Sequence, residues 1–165
     1  TEDIGILDLD EHYGNGTEDI REKRGVSGLR HYTFGGEEIE PDGGDAWLER
    51  LPSIVRSFQG CGLVLYQAGA DPHIHDPHSR KILNDEQLLR RDRIVFRELH
   101  AMRIPVVWNL AGGYQTPLRK VLNIHDNTMR ACVETYLGDV NRNTGAGPGA
   151  GAGTGWPSEG SGAGP

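Results

Sequence analysis

Three short apolar stretches, Ile4-Gly-Ile-Leu-Asp-Leu-Asp10, Gly62-Leu-Val-Leu-Tyr-Gln-Ala68 and Ile104-Pro-Val-Val-Trp-Asn-Leu110, decide the fold. None alternates cleanly between apolar and polar side chains. Such runs fit buried strands of a parallel sheet covered on both faces. Helical spacing fills the intervals. Trp47, Leu48, Leu51, Ile54, Val55 and Phe58 mark a helix over 45–58, which Pro52 must either start or kink. Leu88, Leu89, Ile94, Val95 and Leu99 mark a second helix, capped by Asn84 or Asp85 and running to about Met102. Residues 117–137 read as a last helix. Residues 14–44 read as a glycine-rich, charged loop. Strands alternating with helices mean an α/β fold, a parallel sheet with flanking helices. Three strands make a small sheet, so part of the fold is expected outside this chain.

In open α/β sheets, ligands bind beyond the carboxyl ends of the strands. Asp8, Asp10 and His12 close the first strand, Gly69-Ala70-Asp71 follow the second, and Ala111-Gly112-Gly113-Tyr114 follow the third. Every strand thus delivers polar groups to one edge. Asp10 and His12 are two apart and point to one side of extended backbone. With Asp71 they make two carboxylates and an imidazole, which offset a divalent cation and leave a coordination position open for water. Asp8 has the same parity further back, suited to orienting a ligand or binding a second cation. Gly112 and Gly113 let the third loop approach a ligand closely, and the Tyr114 phenol suits an oxyanion. Taken singly, Asp8 or Asp71 reads as a turn or cap residue, His12 as a polar contact and Tyr114 as an aromatic packed on a turn. A calcium-loop reading of Asp8, Asp10 and His12 is disfavoured, because Tyr13 stands where an EF-hand loop needs glycine and a strand precedes it rather than a helix.

Two other charged stretches read as bystanders. The run Asp71-Pro-His73-Ile-His75-Asp76-Pro-His78 reads as a surface or pocket-rim loop. Arg90-Arg91-Asp92-Arg93 reads as a solvated helix face.

The chain has 165 residues, with 17 Lys and Arg against 24 Asp and Glu, a formal net charge of −7. That argues against nucleic-acid binding by charge alone. No apolar run approaches the roughly 20 residues of a membrane span. Cys61 and Cys132 are the two cysteines, too few for a disulfide scaffold or a cysteine-built zinc site. A cytoplasmic setting is the expectation. Residues 139–165 hold 9 Gly and 3 Pro, with Val140 and Trp156 the large apolar side chains. They read as a disordered tail after an ordered 1–138.

The stretches Asp8-Leu-Asp-Glu-His-Tyr-Gly-Asn-Gly-Thr17, Ala68-Gly-Ala-Asp-Pro-His-Ile-His-Asp-Pro77 and Leu110-Ala-Gly-Gly-Tyr-Gln115, in that order, resemble the zinc-dependent histone deacetylase superfamily. That superfamily includes the bacterial deacetylases and acetylpolyamine amidohydrolases, which Leu83-Asn-Asp-Glu and Arg90-Arg-Asp-Arg resemble most. The resemblance runs from about Ile4 to Leu137. It implies an arginase/deacetylase-type sheet, represented by its C-terminal half. It implies zinc, or ferrous iron, on Asp10, His12 and Asp71, with Asp8 at a structural potassium position and Tyr114 as the transition-state tyrosine. The implied reaction removes acetyl groups from acetylated lysine or polyamine. The superfamily's upstream His-His pair, its general base and acid, is not in this chain. The expectation is therefore a domain inactive alone, completed by a missing N-terminal half or an oligomer partner. The rival is a non-catalytic cation-binding or interaction protein built on the same fold.

Overall fold

The apolar runs become strands because each finds a parallel neighbour. A computed structural model describes residues 3–138; the expected tail, 139–165, lies outside the described residues. The chain runs β1 (Asp3–Asp8), α1 (Asn15–Arg24), β2 (Leu29–Thr33), a short 3-10 turn (Phe34–Gly36), α2 (Gly44–Arg56), β3 (Cys61–Ala68), α3 (Asp85–Ala101), β4 (Val106–Leu110) and α4 (Arg119–Tyr136). The four strands form one parallel sheet in the order β2-β1-β3-β4. The three expected strands are therefore adjacent, with β1 and β3 at the centre.

The expected loop over 14–44 is corrected: it contains a helix and the fourth strand. Helix α1 buries none of its residues, so it carries no apolar stripe to read. Side-chain pairs hold it instead, Arg21 with Glu18 and Lys23 with Asp19, and Gly25 ends it in a left-handed turn. Strand β2 is an edge strand with polar residues. Arg30 pairs with Asp3 at 2.9 Å and the His31 Nδ1 lies 2.9 Å from Glu18, so polar side chains that read as loop are accommodated in the sheet.

Pairing register separates the two faces. Gly5, Leu7 and Leu9 face a layer made by α2, α3 and α4, with Trp47, Leu48, Leu51, Val64, Tyr66, Val95, Phe96 and Leu99 buried there. Ile4, Ile6 and Asp8 face the other side, in register with Leu29, His31 and Thr33. His31 meets α1 there, so α1 lies on this second face. It shields one end. Ile4, Leu65 and Val107 stay exposed, Val107 at 58%. The expectation of strands covered on both faces is thus corrected: among the described residues one face is largely bare.

Local sequence places the helices as expected, with small differences. Asn84 caps α3 through the Gln87 amide at 2.9 Å, and the Gln87 side chain accepts the Asn84 amide at 3.0 Å. Pro52 sits inside α2 rather than opening it, so the Leu48 carbonyl goes without that amide as partner.

The two faces differ in what they contribute to stability. Phe96→Ala should lower the unfolding free energy by about 3–5 kcal/mol, the usual range for a buried aromatic. Val107→Ala should change it by less than about 0.5 kcal/mol. Urea unfolding of both variants checks the contrast; equal losses would mean that the bare face carries as much packing as the helical one.

Candidate metal centre

The chain leaves β1 for β2 on one side and returns through β3 on the other. Such a reversal opens a crevice at the strand ends, where ligands of α/β sheets bind. Asp10 and Asp71 leave the sheet at this point. Leu9 donates its amide to the Gln67 carbonyl at 3.1 Å, and beyond that rung the two loops splay into turns.

Short local bonds aim the side chains. Asp10 donates its amide to Asp8 Oδ1 at 3.1 Å, and His12 donates its amide to Asp10 Oδ1 at 3.0 Å. The Glu11 amide donates to Asp71 Oδ1 at 3.1 Å. From the third loop, the Gly112 amide donates to Asp10 Oδ2 at 2.9 Å, while its carbonyl accepts the Ala70 amide at 2.6 Å. One ligand atom from each of Asp10, His12 and Asp71 then lies within 4.8 Å of the others. His12 Nδ1 is 3.2 Å from Asp10 Oδ1 and 3.1 Å from Asp71 Oδ2. Asp71 is fully buried, whereas the His12 side chain is 57% exposed, so the cluster opens to solvent on the imidazole side.

Three observations test whether these residues fit a divalent cation. Asp71 Oδ2 is buried yet accepts no hydrogen bond; His12 Nδ1 approaches it without forming one. Burial, and then the negative charge of Asp10, push the Asp71 carboxyl up to about 6. Burial pulls His12 down, but its bond to Asp10 and the charges of both carboxylates outweigh that and raise it. The third observation is steric. A Cβ at Gly112 would collide with the Asp71 carboxylate, and one at Gly69 would come within 2.7 Å of both Asp10 Cα and Asp71 Oδ1. Two oxygen donors, one nitrogen donor and surplus negative charge in a glycine-lined cradle suit a divalent cation.

The remaining expected residues stand around this cluster. Asp8 is buried outside it, its carboxyl raised by burial and then by Asp10, and it braces the Asp10 turn. Gly113 packs against Val121 and Ala70. Tyr114 is about half exposed, its ring edge on His78 with centroids 5.0 Å apart.

Two expectations are corrected. The 71–78 segment is not only a rim. Asp71, His73 and Asp76 are buried, and Asp76 accepts the amides of His78 at 2.9 Å and Tyr114 at 2.6 Å. Asp76 thereby anchors the loop that presents Tyr114. His73 belongs elsewhere, its Nε2 3.3 Å from Asp85. The run 90–93 is not a solvated face throughout, because Arg91 and Asp92 are fully buried. The signal was available: positions 88, 92, 95 and 99 share one helical stripe, so Asp92 lies on the apolar side of α3.

No family model matches the sequence. Histone deacetylase 2 of Arabidopsis thaliana is 31% identical over 139 residues, covering 72% of this chain and 36% of its own length. The chain belongs to the histone deacetylase superfamily. An uncharacterized protein of Picosynechococcus is 32% identical over 89 residues, covering 54% of this chain and 28% of its own length. The chain thus spans about a third of the length of these two relatives. The crystal structure of an acetylpolyamine aminohydrolase from Burkholderia pseudomallei superposes with a TM-score of 0.59 at 15% identity, over 79% of this chain and 45% of its own. That likeness shows the deacetylase fold.

The raised Asp71 carboxyl has a signed consequence. Its folded value, about 6, lies above its ordinary 3.8, so the native state holds the proton more tightly. Stability is lost as the pH rises from about 4 through 6 and stays lost above. In metal-free protein, Asp71→Asn should therefore raise the melting temperature at pH 7.5, with the gain fading towards pH 4. Thermal melts in chelator across that range measure it; a gain independent of pH would contradict the assignment.

Proposed function

We propose that the chain is the metal-binding part of an amidohydrolase that removes acetyl groups from acetylated lysine or polyamine. The observation that carries this reading is the cluster at the β1/β3 crevice, with the orphaned Asp71 Oδ2 at its centre. Asp10, His12 and Asp71 would hold zinc or ferrous iron, and Asp8 would serve a structural potassium ion. A divalent cation there supplies Lewis acidity, polarising the acyl carbonyl and making a water more acidic. Asp10 and Asp71 offset its charge, and the exposed side of His12 leaves the approach open. Gly112 and Gly113 bring the third loop close, and the Tyr114 phenol donates a hydrogen bond to the oxyanion that develops as the amide is attacked.

Protons must still move, and a positioned acid–base group commonly contributes about 10²–10⁴-fold. The sequence has no adjacent histidine pair to match the superfamily's base. The reading therefore includes negligible turnover by this chain alone and activity once the other half of the fold joins it. The bare sheet face, with Ile4, Leu65 and Val107, supports that incompleteness. The domain proper would be 1–138, with a tail beyond. Two free cysteines are compatible with the cytoplasmic setting we infer, and no described helix is long and apolar enough to cross a membrane.

Two measurements test this. Zinc titration of the 165-residue chain should give one tight site. Asp10→Ala, His12→Ala or Asp71→Ala should each weaken it by more than the roughly 10–100-fold typical of losing a supporting partner. In an acetyl-lysine release assay, the chain alone should be silent and the completed domain active. Tyr114→Phe in the completed domain should lower turnover more than substrate affinity. A completed domain that binds zinc but releases no acetate would favour the cation-binding rival.

A further inference from the structure

We propose that Arg91 is a positioning residue of the metal centre. Its buried guanidinium would clasp the two loops that carry Asp10 and Asp71 and set the distance between them; this rests on the metal-centre reading above. Arg91 Nη1 donates to the Leu9 carbonyl at 3.2 Å and to the Gly69 carbonyl at 2.6 Å. Leu9 immediately precedes Asp10, and Gly69 lies two residues before Asp71. Both carbonyls sit where the ladder between β1 and β3 ends, so neither is spoken for by the sheet beyond the Leu9–Gln67 rung. One nitrogen therefore ties together the two backbones one residue ahead of Asp10 and two residues ahead of Asp71.

The guanidinium is itself held from behind. Its Nε donates to Asp92 Oδ1 at 2.8 Å. Asp92 in turn accepts the Tyr66 hydroxyl of β3 at 2.5 Å and the Thr128 hydroxyl of α4 at 2.6 Å. Arg91, Asp92, Tyr66 and Thr128 are all fully buried, so no water substitutes for a missing member. Arg91 Nη2 is left without a partner, so the side chain is placed to reach both loops rather than to satisfy all its donors. A planar fork can donate sideways to Asp92 and forward to the carbonyls at once. A lysine ammonium is a point donor on a flexible stem and cannot hold that spacing.

The test uses the 165-residue chain and cobalt(II), whose visible absorption reports ligand geometry, with affinity read by competition against a chromophoric chelator. Arg91→Lys keeps the charge and loses the bridge. It should weaken cobalt about 10–100-fold, the range for supporting partners, and shift the cobalt spectrum. Thr128→Val loosens Asp92 alone and should act in the same direction by a smaller factor; it decides the matter if Arg91→Lys does not fold. Leu99→Ala, a core truncation away from the clasp, should lower the melting temperature and leave cobalt affinity and spectrum unchanged. Wild-type affinity and spectrum in both Arg91→Lys and Thr128→Val would overturn the proposal while leaving the metal centre standing. Equal weakening by Leu99→Ala would overturn it too, because general destabilisation would then account for the loss. Absence of cobalt binding by the wild-type chain would sink the metal-centre reading and this one together.

Discussion

Two carboxylates held side by side, one of them without water, set the terms for the rest of the site. Asp10 and Asp71 repel each other, and burial of Asp71 removes the solvent that would weaken the repulsion. The surroundings answer with donors. The Glu11 and Gly112 amides take one oxygen each, and His12 leans in from the solvent side. Glycine at 69 and 112 is a steric necessity, since any side chain would occupy the space the carboxylates need. The arrangement is held by main chain on three loops, which is why the sheet order matters more here than any one residue.

Sheet order also explains what the sequence disclosed. The strands β1, β3 and β4 were legible because their apolar side chains are dense. That density came from two different causes. Leu7, Val64 and Tyr66 are apolar because the helices cover them. Ile4, Leu65 and Val107 are equally apolar on a face that no described helix covers, so the runs looked doubly buried when they are not. Polar residues misled in the opposite sense. Arg30 and His31 in β2 find polar partners in Asp3 and Glu18, and the strand was invisible to a reading that expects apolar alternation.

The candidate site was legible to the extent that strand ends can be recognised. Asp10, His12, Asp71 and the Gly112–Tyr114 loop follow from where strands stop, without knowledge of packing. Arg91, Asp92 and Asp76 depend on partners far away in sequence. A charge on a helix looks solvated until the carbonyls it meets are known. Asp92 lies on the apolar stripe of α3, a hint that the arginines around it obscured.

The separation along the chain has a kinetic meaning. Gly112 reaches Asp10 across 102 positions, and Glu11 reaches Asp71 across 60. Closing loops of that length is an entropic expense met only when the central strands have already docked. The cluster therefore depends on strand docking that brings distant stretches of chain together. A cation that binds only the assembled cluster finds little to hold in the transition state, so its stabilisation falls on the way out rather than the way in. An ion with that preference would slow unfolding and leave the folding rate nearly untouched, a lock on a structure already formed rather than a template for forming it.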